Sequence, residues 1–465
     1  MDHWICDGMT VDWDCLFGRS WNITEEDMTG CRKEMAAAAE TLAGIRGNGC
    51  GLREGETVFF PRLPAILREN FLMTAEEKAD MEVLALRCRK GEFDAVISVG
   101  IGGSYLGNQV LFDGICGPYW NAEDEETRRG LPQVFFAGQT ADPEAMASLL
   151  RYLRQQAGKK ADYAVLVLAI SKSGTTAEPS GTLSVLERAL PGFCRPVFVG
   201  ITDAAKGLLL EECREKGWLH FAVPEGIGGR FSVFSQVGLV FASILGMDIR
   251  QFLRGAKQVE EACQSEDWRE NPALALAAMK YIASVKYGIT AEITMPYCAR
   301  LRSLGDWYAQ LLGESLGKAE TVSGEPAYGG RTPVSAVGTT DMHSLTQEHQ
   351  QGRRNKLLQF ISVEEFPDDP DFTLTEGGQI CTVPMSHVLG AALRANAEAL
   401  ASDGRMSCRI SIRKVNEFYL GALMYFFFLT ISYEGAMAGI DAYDQPGVET
   451  YKKILHQDLA RYGRD

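Results

Sequence analysis

The stretch Ala164-Val-Leu-Val-Leu-Ala-Ile-Ser-Lys-Ser-Gly-Thr-Thr-Ala-Glu-Pro179 decides how the chain is read. Its apolar run, Val165 to Ile170, has the composition of a strand buried on both faces, as in a parallel sheet. The run stops at once in Ser171-Lys-Ser-Gly-Thr-Thr176, which places four hydroxyls, one ammonium and one glycine in six positions. At the carboxyl end of a strand and the opening of a helix, such a loop cradles an anion. Backbone N–H groups and the hydroxyls of Ser171, Ser173, Thr175 and Thr176 donate to phosphate oxygens, Lys172 adds positive charge, and Gly174 lets the backbone approach closely. An ordinary turn with an N-cap draws on the same residue types. A cap needs one hydroxyl rather than four, so the composition favours phosphate binding.

The length of 465 residues suggests two or more domains, each able to bury its own core. Apolar and charged contents of 46% and 23% fall in the ordinary globular range. A net charge of −15 without a long basic run argues against nucleic acid or an anionic membrane as partner. It also requires positive charge to be concentrated locally wherever a phosphate binds. The twelve cysteines are scattered with no CxxC pair, which disfavours finger-type metal sites and disulfides. Met1-Asp-His-Trp lacks the basic start and apolar core of a leader, so a cytoplasmic setting is expected. The apolar segment Phe418 to Ile431 is shorter than a membrane span and reads as a buried core helix.

Along the chain, residues 1 to about 60 offer a helix-like, alanine-rich segment, Lys33 to Ile45, and little else. A charged helix runs from Ala75 toward Arg89. A second buried-type strand, Asp94 to Gly100, leads into Ile101-Gly-Gly-Ser-Tyr-Leu-Gly107. That loop fails the dinucleotide spacing, because Tyr105 stands where the last glycine belongs, and no NAD is implied. It fits a tight turn that brings Gly103 and Ser104 to the same crevice as the Ser171 loop, or a turn with no ligand. Further strands are read at Val134–Ala137 and Arg195–Ile201, with intervening helices beginning at Asp142-Pro-Glu and near Glu178. This alternation predicts a parallel sheet with helices on both faces and ligands beyond the strands' carboxyl ends. Gly226-Ile-Gly-Gly-Arg-Phe-Ser232 gives Arg230 a defined exit before a helix read over Val233–Leu245, although a surface arginine has the same local signature. A second half starts near Asn271-Pro, with a helix over Leu274–Tyr287, strands at Glu292–Met295, Leu357–Val363 and Ile410–Ile412, and a helix near Val388–Leu400. Gly313 to Lys318 imitates a P-loop but is one residue short, and Ala319 replaces the required hydroxyl. What remains there is a carboxylate, Glu314, between two glycines. Glu364 to Pro370 reads as a solvated acidic loop.

Six segments then carry a resemblance: Ser98-Val-Gly-Ile-Gly-Gly-Ser-Tyr-Leu-Gly107, Ser171–Thr176, Gly228-Gly-Arg-Phe-Ser-Val233, Gln310-Leu-Leu-Gly-Glu-Ser-Leu-Gly-Lys318, Asp341-Met-His-Ser344 and Asp444-Gln-Pro-Gly-Val-Glu-Thr-Tyr-Lys452. In this order they resemble the glucose-6-phosphate isomerase family, bacterial type, from about Phe60 to Lys453. Asn108-Gln109, Leu316 and Asp441-Ala-Tyr443 depart from the family pattern. The resemblance implies an α/β fold of two sugar isomerase (SIS) domains, each a mostly parallel sheet with helices on both faces, plus a C-terminal helical segment. The expected division is an N-terminal segment 1–60, domains 61–268 and 269–435, and a C-terminal segment 436–465. It also implies interconversion of glucose 6-phosphate and fructose 6-phosphate without metal or cofactor, by a homodimer in which His343 comes from the neighbouring subunit. By position, Glu314 resembles the proton-transfer base, Lys452 and His343 the ring-opening groups, and Arg230 the cation beside the enediolate. Ser104, Ser171, Ser173 and Thr176 match phosphate contacts, joined in the substrate site by Gly103, Lys172 and Thr175, with Gln310 and Gln445 as nearby polar contacts.

These residue types suit the chemistry. A single carboxylate can take a proton from one carbon and return it to the next. Histidine can donate or accept near neutral pH, and of six histidines His349 rivals His343 on the same helix but on another face. Arginine stays charged beside a developing enediolate. Two other readings remain at the level of sequence: an isomerase that also accepts mannose 6-phosphate, and a non-catalytic sugar-phosphate sensor. The sensor needs Ser171–Thr176 but not Glu314, His343 and Lys452.

Overall fold

The computed structural model describes residues 2–49, 51–53, 55–62 and 73–462. A short hairpin opens it, β1 (Asp2–Cys6) and β2 (Met9–Asp12). Next comes a five-stranded sheet of β3 (Ala95–Val99), β4 (Gln133–Ala137), β5 (Ala164–Ile170), β6 (Arg195–Asp203) and β7 (Leu219–Val223). Their order is β4-β3-β5-β6-β7, and every pairing is parallel. All of β5 and all of β3 are buried, as the apolar runs require. Val96, Leu166 and Leu168 pack on one face with Val110 and Leu111 of the helix Gly103–Cys116. Ile97, Val165 and Val167 pack on the other with Leu153, Leu183 and Leu186 from the helices Pro143–Ala157 and Ala177–Ala189. From β3 the chain steps outward to β4 and then returns past β3 to β5. That reversal leaves a crevice at the carboxyl ends of β3 and β5, where Val99 is level with Ala169. The Gly100–Gly103 turn and the Ser171–Thr176 loop both open there.

The second sheet contains β8 (Ala291–Pro296), β9 (Thr332–Ser335) and β10 (Lys356–Val363). A separate hairpin follows, β11 (Asp371–Glu376) and β12 (Gln379–Pro384), and then β13 (Ser407–Ile412). The order is β1-β2-β13-β10-β8-β9. The four strands from the second half run parallel, and β2 pairs antiparallel to β13. The N-terminal residues, read only as carrying a helix, therefore also complete the edge of this sheet. Strands of four or five residues are too short for periodicity to declare, and their partner lies some 400 residues away. The helix read over Val233–Leu245 starts later. Gly229–Phe234 forms a 3₁₀ turn, and Ser235 caps Gln236–Ile244 through the Val237 amide. The apolar segment is the helix Glu417–Met437, and 94% of its most apolar window is buried inside the protein, so it is a core helix.

One buried ionic group ties the second half together. Lys280 Nζ lies 2.6 Å from Glu292 Oε1 and donates to the Tyr308 hydroxyl (2.9 Å) and Gln359 (2.7 Å). Arg331 Nε donates to Glu292 Oε2 (2.8 Å), and its Nη2 to Glu434 (2.8 Å). Two cations and two carboxylates are thus neutralised where no water reaches, joining β8, β10 and the helices Pro272–Val285, Arg302–Leu316 and Glu417–Met437. Burial alone would raise the Glu292 pKa, but Lys280 and Arg331 outweigh it and hold it at about 2. The stabilisation is therefore complete above the unfolded value of about 4.5 and is lost as pH falls through about 2. Glu292→Gln leaves the buried Lys280 ammonium without a carboxylate and Arg331 with Glu434 alone, and is expected to cost about 3–5 kcal/mol at pH 7. Urea denaturation of both proteins should show that gap narrowing below about pH 4.5; a gap independent of pH would contradict the assignment.

Candidate active site

Arg230 is 2% exposed, and all five of its N–H groups are engaged. Nε donates to Ser315 Oγ (2.7 Å); Nη1 donates to Glu314 Oε2 (3.2 Å) and Gln445 Oε1 (2.8 Å). Nη2 donates to the carbonyls of Ala442 (2.5 Å) and Asp444 (3.0 Å). The guanidinium lies over the ring of Phe231, itself stacked on Phe60 and packed against Phe428. Burial pulls the Arg230 pKa below the ordinary arginine value, and Glu314, Asp444 and Asp441 oppose that pull. The group stays a cation.

Glu314 lies in the last turn of the helix Arg302–Leu316, with its side chain 31% exposed. Oε1 accepts from Gln310 Nε2 (3.0 Å), one turn earlier on the same face. One carboxylate oxygen is thus oriented by an amide and the other by a guanidinium, while the group still faces the crevice. The turn after β3 closes the site from the other half. A side chain at Gly102, whose φ is +55°, would come within 2.9 Å of Gln310 Nε2. A Cβ at Gly103 would lie 1.9 Å from the Gly229 carbonyl oxygen, so Gly103 is where helix Gly103–Cys116 abuts the backbone that carries Arg230.

At the end of β5 the loop is pre-shaped. Ser171 Oγ accepts from the Gly174 amide (3.0 Å), and Ser173 and Thr175 hydroxyls meet at 2.8 Å. Gly174 has φ +73°, and a Cβ there would lie 2.3 Å from the Leu209 amide, so no other residue fits. Thr176 is the N-cap of Ala177–Ala189, yet its hydroxyl makes no cap bond and stays free to donate. Ser173, Thr175 and Lys172 are exposed, and the Ala205 and Lys206 amides, with Lys172 nearby, hold the Asp203 carboxyl below its ordinary pKa. Ser104 is half-buried in the first turn of the helix that starts at Gly103.

Arg230, Glu314, Gln310 and Gln445 are therefore brought into one bonded group, and the Gly103–Ser104 turn and the Ser171 loop share the neighbouring crevice. Two sequence-derived candidates stand apart from that group. His343 is exposed on the helix Met342–Gln351 and makes no side-chain hydrogen bond; Lys452 pairs with Glu449 (2.9 Å) on the helix Glu449–Tyr462. His349, the rival on that helix, is buried, and desolvation lowers its pKa. Sequence reasoning missed Ser315, Asp441, Asp444 and Arg53. Arg53 reaches Asp441 (3.3 Å) and Asp444 (3.2 Å) from the N-terminal segment. Ser315 and Asp444 lie inside quoted motifs, but their use depends on a partner far away in sequence.

A parallel α/β scaffold holding a hydroxyl-lined loop beside a paired carboxylate and guanidinium suits an enzyme that grips a phosphate and moves a proton. A family profile for phosphoglucose isomerase matches residues 87–368. The chain is 35% identical over 454 residues to a glucose-6-phosphate isomerase of Carboxydothermus hydrogenoformans, covering 94% of this chain and 91% of that one. It is 35% identical over 386 residues to the Lacticaseibacillus casei enzyme of the same name, covering 80% and 82%. Among solved structures, a glucose-6-phosphate isomerase of Chlamydia trachomatis superposes with a TM-score of 0.80 at 22% identity over 99% of this chain and 90% of that one, a likeness of fold. A hypothetical protein of Thermus thermophilus superposes with a TM-score of 0.75 at 27% identity, covering 94% and 97%. The chain belongs to the phosphoglucose isomerase family, and it is an isomerase.

Arg230→Lys keeps the charge but offers three donors to five acceptors. Isomerase kcat is expected to fall ~100-fold or more, measured in a coupled assay on protein confirmed to be folded. Activity within a few-fold of wild type would contradict the role given to the fork.

Proposed function

We propose that this isomerase, which interconverts glucose 6-phosphate and fructose 6-phosphate, moves its proton with Glu314 through a cis-enediol. The observation that carries the reading is the Glu314–Arg230–Gln445 contact, which joins a part-exposed carboxylate to a buried cation. In this scheme the substrate phosphate lies in the Ser171–Thr176 loop, where helix N–H groups and free hydroxyls converge. Glu314 takes the proton from C2 of the open aldose and returns it to C1, while a proton passes between O1 and O2. Negative charge on the enediolate oxygen is met by the field of Arg230, which is strong because the site around it is dry. His343 and Lys452 open the ring before transfer. No metal or cofactor is needed by this route.

The homodimer belongs to the same proposal, with His343 reaching the neighbouring site. Its support is the helix Glu449–Tyr462, which has no buried residue and presents Tyr451, Ile454, Leu459 and Tyr462 to solvent. These fall on one helical stripe, and an apolar stripe on the helix that carries Lys452 suits a covering subunit. The division into halves at 61–268 and 269–435, and a cytoplasmic setting, complete the reading. A sensor would need the Ser171 loop but not the assembly of Glu314 with Arg230, so the site favours catalysis.

With chelator present, Glu314→Gln is expected to lower kcat ~100-fold or more, with KM for fructose 6-phosphate within a few-fold of wild type. A folded mutant with near-normal kcat would remove Glu314 from the role of base.

A further inference from the structure

Lys318, the lysine that makes Gly313–Lys318 imitate a phosphate loop, has no part in the proton transfer above, yet it is only 7% exposed. Its Nζ donates to the Glu314 carbonyl (2.6 Å) and the Asp444 carbonyl (2.7 Å), and lies 3.2 Å from Asp444 Oδ1. Two of the ammonium's three donors are spent on carbonyls, and the carboxylate oxygen adds an ion pair. One acceptor is the backbone of the residue proposed as base. The other two belong to the segment that carries Gln445 and runs on toward Lys452. Asp441 folds this segment by accepting from the amides of Tyr443 (2.8 Å) and Asp444 (3.3 Å), and Arg53 grips both aspartates from outside.

The need for such a tie is physical. Glu314 is two residues from the end of its helix, which stops at Leu316 before Gly317. Last turns fray, and their carbonyls lack intrahelical partners. A carboxylate carried on a fraying turn does not hold a transfer geometry. A cation at a helix C-terminus is also favoured by the peptide dipoles. Burial and the neighbouring Arg230 pull the Lys318 pKa down, while Asp444 and Asp441 sustain its charge.

We propose that Lys318 is a positioning residue, which welds the last turn of the Glu314 helix to segment 441–445 and so fixes the base relative to Gln445 and Arg230. This rests on Glu314 being the base. The weld acts on the transition state more than on substrate capture, because the phosphate loop lies on the other sheet.

The test compares Lys318→Met and Lys318→Arg with wild type and Glu314→Gln in the full chain, using fructose 6-phosphate. Lys318→Met is expected to lower kcat ~10–100-fold, with KM within about three-fold. Lys318→Arg keeps the charge but not the placement of the donors, so kcat should stay lowered there too, again with KM little changed. Wild-type kcat in Lys318→Met, with or without a lowered melting temperature, would overturn the proposal. If Lys318→Met does not fold, Lys318→Arg serves alone, and an unchanged kcat there would overturn the proposal equally. An active Glu314→Gln sinks the base assignment itself; an inactive one beside a normal Lys318→Met sinks the weld alone.

Discussion

The site depends on one buried guanidinium. A dry arginine must find acceptors for five N–H groups or lose the desolvation cost of each one left unpaired. Three parts of the chain that are distant in sequence meet here: its own loop sets Arg230 in place, and the acceptors are Ser315 and Glu314 from a helix of the second half and residues 442–445 from near the C-terminus. The fork cannot be satisfied until all three are in position. The contacts that join these parts are thus the same ones that assemble the reactive group, and they orient the carboxylate.

The helix Arg302–Leu316 is constrained from several directions. At its middle, Tyr308 donates to Glu292 within the buried ionic group and receives from Lys280. Gly305 lies against Ser335 of β9, where a Cβ would come within 2.5 Å of the hydroxyl. At its end, Lys318 holds the Glu314 carbonyl. Such a helix is an unusually rigid mount for a base, although the carboxylate itself remains part-exposed. The other half supplies the contrasting environment, an open loop whose hydroxyls and helix amides face solvent and can meet a charged ligand.

Much of this was legible in the sequence because it is local. The strands β3 and β5 are legible as buried apolar runs, β4, β6, β8, β10 and β13 as strand-like stretches, and Ala75–Arg89 as a charged helix. The Ser171 loop was readable from composition, and Glu314 and Arg230 from glycine spacing together with the family resemblance. What stayed hidden is non-local. The strands β1 and β2 owe their existence to β13, and the roles of Ser315, Asp444 and Arg53 exist only across the Arg230–Lys318 junction. Lys318 itself is visible in the sequence, but its segment fails as a phosphate loop, and no local pattern points to two carbonyls and a carboxylate. Gly103 illustrates the same limit, since its reason is a backbone contact with Gly229 that no local pattern reveals.

The central claim is that a proton held by Glu314, positioned by Arg230, passes between C1 and C2. It is tested most directly by running the reaction in deuterium oxide from unlabelled fructose 6-phosphate and reading C2 of the glucose 6-phosphate by NMR. The account requires a fraction of the product to carry deuterium at C2 with wild type, because a carboxyl-held proton can exchange with solvent during the enediol's lifetime. It requires that incorporation to fall together with turnover in Glu314→Gln. Product that carries only protium at C2 throughout, or undiminished incorporation in the mutant, would contradict it.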